Sequence, residues 1–149
     1  MTENPVLLCY DGSDDAKSAL GRAAELFAGR PAVVLSIWEH GWASLSVAWP
    51  DADTLQSLEE AAEKNATESA AEGVELAAAA GLTAQPVATL ARGPVWQAIL
   101  DLADEYDAAA IVLGRRGLGG FKSMLLGSVS NAVVHHSNRP VVVIPRGDG

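Results

Sequence analysis

Gly114-Arg115-Arg116-Gly117-Leu118-Gly119-Gly120-Phe121-Lys122-Ser123-Met124-Leu125-Leu126-Gly127-Ser128-Val129-Ser130 is the stretch on which the fold turns. It begins where the apolar run of residues 109–113 stops, and it ends where the helical spacing of Val129, Val133 and His136 begins. A glycine-rich, cationic connection from strand to helix can cradle phosphate. Glycine lets backbone N–H groups approach the oxygens, and a helix N-terminus adds unpaired donors and a positive dipole end. The same composition suits a surface loop that needs glycine only for its turns. Both readings stand at this point.

Working outward, the chain alternates apolar runs with helical patterns. Residues 5–10 read as a first strand, and Asp11-Gly12-Ser13 turns it into a helix with Ser13 as N-cap. The inward face of that helix is predicted to hold Ala16, Leu20, Ala23, Ala24 and Phe27, with Gly29 closing it. Residues 32–38 read as a second strand. A longer connection follows over residues 40–50, carrying Trp42 and Trp49. Asp53, with Gln56 three residues later, matches a capping box for a long alanine-rich helix that ends near Gly81. Residues 82–91 form a third strand with Pro86 inside it. Proline offers no ladder donor, so this strand is expected at a sheet edge. Arg92-Gly93-Pro94 starts a helix to about Tyr106, with Pro94 in its first turn. The fourth strand, the glycine run, a helix from about Gly127 to Ser137 and a last strand at residues 141–144 complete the chain. The order βαβαβαβαβ with short connections predicts an α/β fold, a mostly parallel sheet with helices on both faces. Runs such as Val33-Val34-Leu35 fit strands buried on both sides.

The 149 residues are read as one domain spanning 1–149, large enough to bury roughly two-thirds of the unfolded surface without metals or disulfides. A hydrophobic content of 49% argues against disorder, and a net charge of −9 disfavours general nucleic-acid binding. Any bound phosphate must then rely on backbone amides and local cations, here Arg115, Arg116 and Lys122. Cys9 is the single cysteine and sits in a strand pattern, where a buried inert thiol is expected. No signal-peptide pattern and no membrane-spanning run is present in the sequence, so the expected location is the cytoplasm, with no membrane partner.

Three familiar phosphate or nucleophile signatures fail on register. A Walker A loop needs Lys and Ser/Thr directly after its last glycine; counted from Gly114 that glycine is Gly119, and Gly120-Phe121 follow it. A dinucleotide fingerprint belongs after the first strand, yet Asp11-Gly12-Ser13-Asp14 holds a single glycine. The elbow Gly-x-Ser-x-Gly is absent, since Gly127-Ser128-Val129-Ser130 runs into Asn131.

What the run does match is Gly-x2-Gly-x9-Gly-Ser at Gly114, Gly117, Gly127 and Ser128. In this the chain resembles the ATP-binding branch of the universal stress protein family. The likeness extends to Val6-Leu7-Leu8-Cys9-Tyr10-Asp11-Gly12-Ser13, to Arg92-Gly93-Pro94, to Ile111-Val112-Leu113-Gly114 and to His136-Ser137-Asn138-Arg139-Pro140-Val141-Val142. The resemblance implies an open five-stranded parallel sheet in the order 3-2-1-4-5, of the adenine nucleotide alpha hydrolase-like type. Strands 1 and 4 then form a topological switch point, where ligands of open α/β sheets bind. It implies ATP as ligand, with Mg²⁺. Asp11 would contact the ribose or a metal near the phosphates, and Ile37 would meet adenine. Leu113 and Gly114 would line the adenine and ribose side. Gly117, Gly127, Ser128, Val129 and Ser130 would hold the phosphates. It also implies a homodimer that pairs the last strand (Val141, Val142, Val143, Ile144) across a two-fold axis, which would cover an apolar sheet edge.

Other candidates carry plainer readings. Asp11 could be a helix-cap residue, and Ser128 and Ser130 could be an N-cap and a first-turn serine. His135 and His136 fall in a last helical turn, where imidazole suits the dipole, and no partner at metal-ligand spacing accompanies them. His40 reads as isolated, Trp96 as packing, and the charges of residues 59–75 as a solvated helix face. Trp42 and Trp49 could shield a base, anchor the core or contact a partner. Three functions remain open: a nucleotide-binding regulatory protein of the stress-response type with little turnover; a slow ATPase or autophosphorylating protein using Ser128 or Ser130; and a dimeric module that binds another adenine nucleotide such as cyclic AMP. No group beside the loop is clearly fitted to orient water, which favours binding over catalysis.

Overall fold

The computed structural model describes residues 3–40, 51–115 and 127–145. Trp42, Trp49, Arg116, Gly117 and Lys122 lie outside the described residues. The elements run β1 (Val6–Cys9), α1 (Asp14–Leu26), β2 (Pro31–Trp38), α2 (Ala52–Ala79), β3 (Thr83–Leu90), α3 (Val95–Glu105), β4 (Ala110–Gly114), α4 (Ser128–His136) and β5 (Val141–Ile144). All four strand pairings are parallel, and the sheet order is β3-β2-β1-β4-β5.

The continuous apolar runs divide by strand parity between two cores. Val6, Leu8 and Tyr10 share one face with Ala32, Val34, Ala110 and Val112, under α1 and α2. Leu7, Val33, Leu35, Ile111 and Leu113 share the other, under Ile99 and Ala103 of α3 and Val133 of α4. The inner strands β1, β2 and β4 are therefore buried on both sides, as period-two side chains between two helical layers require. Pro86 stands opposite Val34 on β3, an edge strand paired on one side only, where proline is tolerated.

Ser13 caps α1 as expected, its Oγ accepting from the Ala16 N–H at 3.1 Å. The start of α2 differs from the capping box read at Asp53 and Gln56. Asp51 is the N-cap, accepting from the Thr54 N–H at 2.7 Å, while Asp53 lies in the first turn and Gln56 donates to Glu60. A carboxylate two residues upstream reaches the free first-turn N–H first, and that bond holds the Asp51 carboxyl below its ordinary range. Pro94 is likewise the N-cap of α3, one residue outside its first turn.

Helix α2 lies close on the sheet through Ala66, Ala70, Gly73 and Ala77, all buried. Its 28 residues span about 42 Å at 1.5 Å per residue, well beyond the length of eight-residue β2. The amino-terminal part of α2 therefore stands past the carboxyl end of the sheet as a wall. Arg139 pins the opposite end of the molecule. Its guanidinium donates to Asp104, to Asp107 and to the Ala108 carbonyl, tying the approach to β5 to the end of α3.

Candidate functional site

At the carboxyl end of β1 the chain leaves the sheet through a tightly held turn. The Tyr10 N–H donates to the Leu35 carbonyl at 2.9 Å, and the buried Ser36 hydroxyl donates to the Tyr10 carbonyl at 2.7 Å. Asp11 Oδ1 accepts from the Ser13 N–H at 2.9 Å, and Gly12 takes a φ of +83° that a side chain would resist. Asp11 is thus not the cap of α1. It shapes the turn and remains exposed above it.

The end of β4 is held by three bonds, one to β5 and two to the start of α4. The Arg115 N–H donates to the Ile144 carbonyl at 2.9 Å, the Gly127 N–H to the Arg115 carbonyl at 3.0 Å, and the buried Ser130 hydroxyl to the Gly114 carbonyl at 2.9 Å. The two ends of the glycine run therefore meet. A Cβ on Gly114 would stand 3.4 Å from the Asp15 carbonyl oxygen, so glycine here lets the first turn of α1 approach β4 closely. Gly127 caps α4 without a side-chain acceptor, which leaves the first-turn N–H groups of Ser128, Val129 and Ser130 without a side-chain cap. Ser128 is the exposed first residue of that helix.

β1 lies between β2 and β4, and the two connections leave on opposite faces of the sheet. That is the switch-point crevice of an open α/β sheet. Beside it lies a cleft of about 250 Å³ with Asp11, Ile37 and Trp38 at the strand ends and Ala62, Asn65 and Ser69 on α2. Asp11 and Ile37 share this cleft, whereas Gly114, Gly127, Ser128, Val129 and Ser130 cluster at the β4–α4 junction next to it. Leu113 is buried in the α3/α4 core, so only its main chain can reach the site. Two larger cavities, of about 470 and 600 Å³, lie at the amino ends of the strands, among residues such as Pro5, Pro31 and Pro140, away from this crevice.

The family model described as the universal stress protein family matches residues 3–145. The chain belongs to that family. It is 30% identical over 152 residues to universal stress protein YxiE of Bacillus subtilis, covering 95% of this chain and 98% of that one. The universal stress protein from Archaeoglobus fulgidus, solved in complex with dAMP, superposes with a TM-score of 0.64 at 25% identity, covering 97% of this chain and 99% of that one. Universal stress protein UspA from Lactobacillus plantarum shares the fold with a TM-score of 0.74 at 21% identity, over 97% of this chain and 99% of its own.

In this universal stress protein, several contacts escape a reading of sequence. The α2 wall of the cleft is one, though its signal was present: Ala62, Asn65, Ala66 and Ser69 recur at the spacing of a single helical face. His40 is not isolated, since its Nδ1 lies 3.1 Å from both carboxylate oxygens of Glu59. Two of the α2 charges on that face also make side-chain contacts. Glu59 has this imidazole contact, and Glu72 accepts from the Tyr10 hydroxyl and lies 4.0 Å from Lys17 Nζ. Burial and the Glu72 carboxylate together push the Tyr10 phenol well above its ordinary range. Trp96 packs as expected, stacked on His136 with ring centroids 4.3 Å apart. Among the described residues no group of three His, Cys, Asp or Glu side chains is placed to hold a metal, and no helix is long and apolar enough to cross a membrane.

Cys9, at the carboxyl end of β1, is a partly buried free thiol. Burial first, and the Asp11 charge second, push it from 9.0 up to about 12. The thiolate, which is the nucleophile, is therefore scarce near neutrality. In native protein at pH 8, a thiol-reactive disulfide reagent should label Cys9 at a small fraction of its rate in denaturant. Because the folded state holds this proton more tightly, the associated stability is complete below pH 9.0 and declines as pH rises toward about 12. Equal labelling rates with and without denaturant would contradict the assignment.

Proposed function

We propose that this protein binds ATP, with Mg²⁺, at the crevice between β1 and β4 and works as a nucleotide-dependent regulator in the stress response, with little or no turnover. The observation that carries the reading is the hydrogen-bonded meeting of Arg115 with Gly127. It sets the uncapped N-terminus of α4 at the switch point, beside the Asp11 turn. A helix N-terminus reached through glycines suits phosphate. The dAMP complex of the Archaeoglobus fulgidus relative supports an adenine nucleotide as the class of ligand.

Asp11 then contacts the ribose or the metal, Ile37 meets adenine, and Leu113 and Gly114 offer main-chain contacts on the adenine and ribose side. Gly117, Gly127, Ser128, Val129 and Ser130 hold the phosphates. For Ser130 that role falls to the N–H, because its hydroxyl is committed to Gly114. Mg²⁺ usually takes one or two carboxylates and completes its shell with phosphate and water, so the single exposed carboxylate of Asp11 fits it. The metal would neutralise phosphate charge.

Phosphoryl transfer requires a group that positions the attacking oxygen. The Ser130 hydroxyl, one candidate acceptor, is buried and bonded to the Gly114 carbonyl. Little phosphate should therefore be released when purified protein is incubated with ATP and Mg²⁺. Steady turnover lost in Asp11→Ala would favour the ATPase reading instead. A cytoplasmic homodimer completes the proposal. Val141–Ile144 pairs with β4 on one side only, and its apolar free edge suits antiparallel pairing with a second copy. Light scattering at micromolar concentration should give twice the chain mass, and a stable monomer would contradict the pairing.

A further inference from the structure

We propose that Pro86 closes the free edge of β3 to strand addition, so that further copies of this chain cannot join the sheet along that edge. The inference goes beyond the nucleotide reading and concerns what the sheet presents at its outer strands.

Hydrogen bonds at the strand ends fix which way each residue of β3 faces. The Ala91 N–H, just past the strand, donates to the Trp38 carbonyl at 2.8 Å. The register between β2 and β3 runs without a break from Pro31 opposite Thr83 to Trp38 opposite Leu90. In a regular parallel ladder the main-chain groups of alternate residues point to the same side. The odd-numbered residues of β3, from Thr83 to Thr89, therefore face β2, and Ala84, Pro86, Ala88 and Leu90 face outward. The far side of β2 gives the same answer. The Leu35 carbonyl accepts from the Tyr10 N–H, so the odd-numbered residues of β2 face β1, and Ser36 and Trp38 face β3. Pro86 thus removes a donor from the outward row and leaves the β2–β3 ladder whole.

That row needs such a device. Thr83-Ala84-Gln85-Pro86-Val87-Ala88-Thr89-Leu90 is eight residues long and carries no charged side chain. A long uncharged edge is a template for another strand, and charge, bulges or proline are the usual means of blunting it. β5 is built differently. The Ile111 N–H donates to the Pro140 carbonyl and the Arg115 N–H to the Ile144 carbonyl, which turns the even-numbered residues toward β4 and leaves Val141 and Val143 with complete outward donors. Two-fold pairing through β5 alone closes after two copies, whereas a second open edge would let assembly continue without closure. The β5 half of this contrast rests on the homodimer reading above; the closure of β3 does not.

The test restores the donor. Pro86 is exposed, and Pro86→Thr places a good strand former there. In dilute protein, hydrogen exchange followed by NMR should show the new amide at position 86 exchanging quickly, while the Gln85 and Val87 amides, which face β2, stay protected. With rising concentration, light scattering of the full chain should show the mass growing to about twofold or more over the parent's. Pro86→Ala restores the same donor and should behave alike. Gln85→Thr raises strand preference without adding an outward donor and should keep the parent's mass. A protected amide at position 86 in dilute protein, a mass equal to the parent's in both Pro86 variants, or the same growth in Gln85→Thr overturns the assignment. The mass of the parent itself, one chain or two, decides the β5 pairing separately.

Discussion

Gly73→Leu is expected to lower the stability of the folded protein by about 3 kcal/mol, at the upper end of what overpacking costs. A Cβ at this position would lie 2.6 Å from Val34 Cγ1 and 3.0 Å from Tyr10 Cδ2. Neither neighbour can move aside cheaply. Val34 is a β-branched side chain of β2 at 0% exposure, and Tyr10 is 1% exposed with its hydroxyl held by Glu72. The glycine therefore works against the helix propensity of α2 in order to bring the helix onto the sheet. Gly21, in the exposed middle of α1 with nothing within 4 Å of its Cβ position, provides the opposite case. There Gly21→Ala should gain about 0.5–1 kcal/mol, because only the helix propensity changes. Denaturant unfolding of the two variants beside the parent checks both signs. A neutral Gly73→Leu would mean that α2 does not pack this closely.

Asp11→Ala is expected to weaken ATP binding by about tenfold or more, the usual worth of a charge-assisted hydrogen bond to a ligand. Two effects add in that variant. The carboxylate that would meet ribose or metal is gone, and the Ser13 N–H loses the acceptor that shapes the Gly12 turn. Asp11→Asn separates them, since the amide oxygen can still accept from Ser13 while the charge is lost. A smaller loss in asparagine than in alanine would assign part of the affinity to the turn. A loss in asparagine that shrinks without Mg²⁺ would point to a metal contact rather than a ribose contact. Asp11 is exposed, so both variants should melt close to the parent.

Local chemistry made most of the fold legible. Apolar runs bounded by glycine and proline gave, in order, the nine elements of the described residues, and Pro86 placed β3 at an edge. The full strand order came with the family resemblance, because periodicity alone does not say which parallel strands lie side by side. Within the site, the turn at Asp11 and the helix start at Gly127 were visible because backbone geometry there demands glycine and short polar residues. What stayed hidden was contact between distant elements. Tyr10 with Glu72, His40 with Glu59 and Gly73 against Val34 each join a helix face to a strand or the residues just after one, and no local rule registers them. The same holds for Ala62, Asn65 and Ser69, whose shared helical face could be read but whose cleft could not. The Asp51 cap was missed for a simpler reason, since Asp51 and Asp53 are both good caps and the nearer acceptor wins only in three dimensions.

Ser130 shows how one residue can carry a motif position and a structural bond together. Its hydroxyl holds the start of α4 to the last carbonyl of β4, so its contribution to a ligand is geometric before it is chemical. Gly114 is similar, because its missing side chain admits the first turn of α1. At Gly114 glycine therefore serves close packing of α1 against β4, and at Gly127 the helix start keeps backbone donors without a side-chain cap.

The most direct test is calorimetric titration of purified, nucleotide-stripped protein with ATP and Mg²⁺, after nucleotide released on denaturing the protein has been identified. An adenine nucleotide in the released fraction, together with saturable binding of ATP at micromolar to submillimolar concentration that is weakened in Asp11→Ala, is the expected result. No released nucleotide and no binding at millimolar ATP would contradict it.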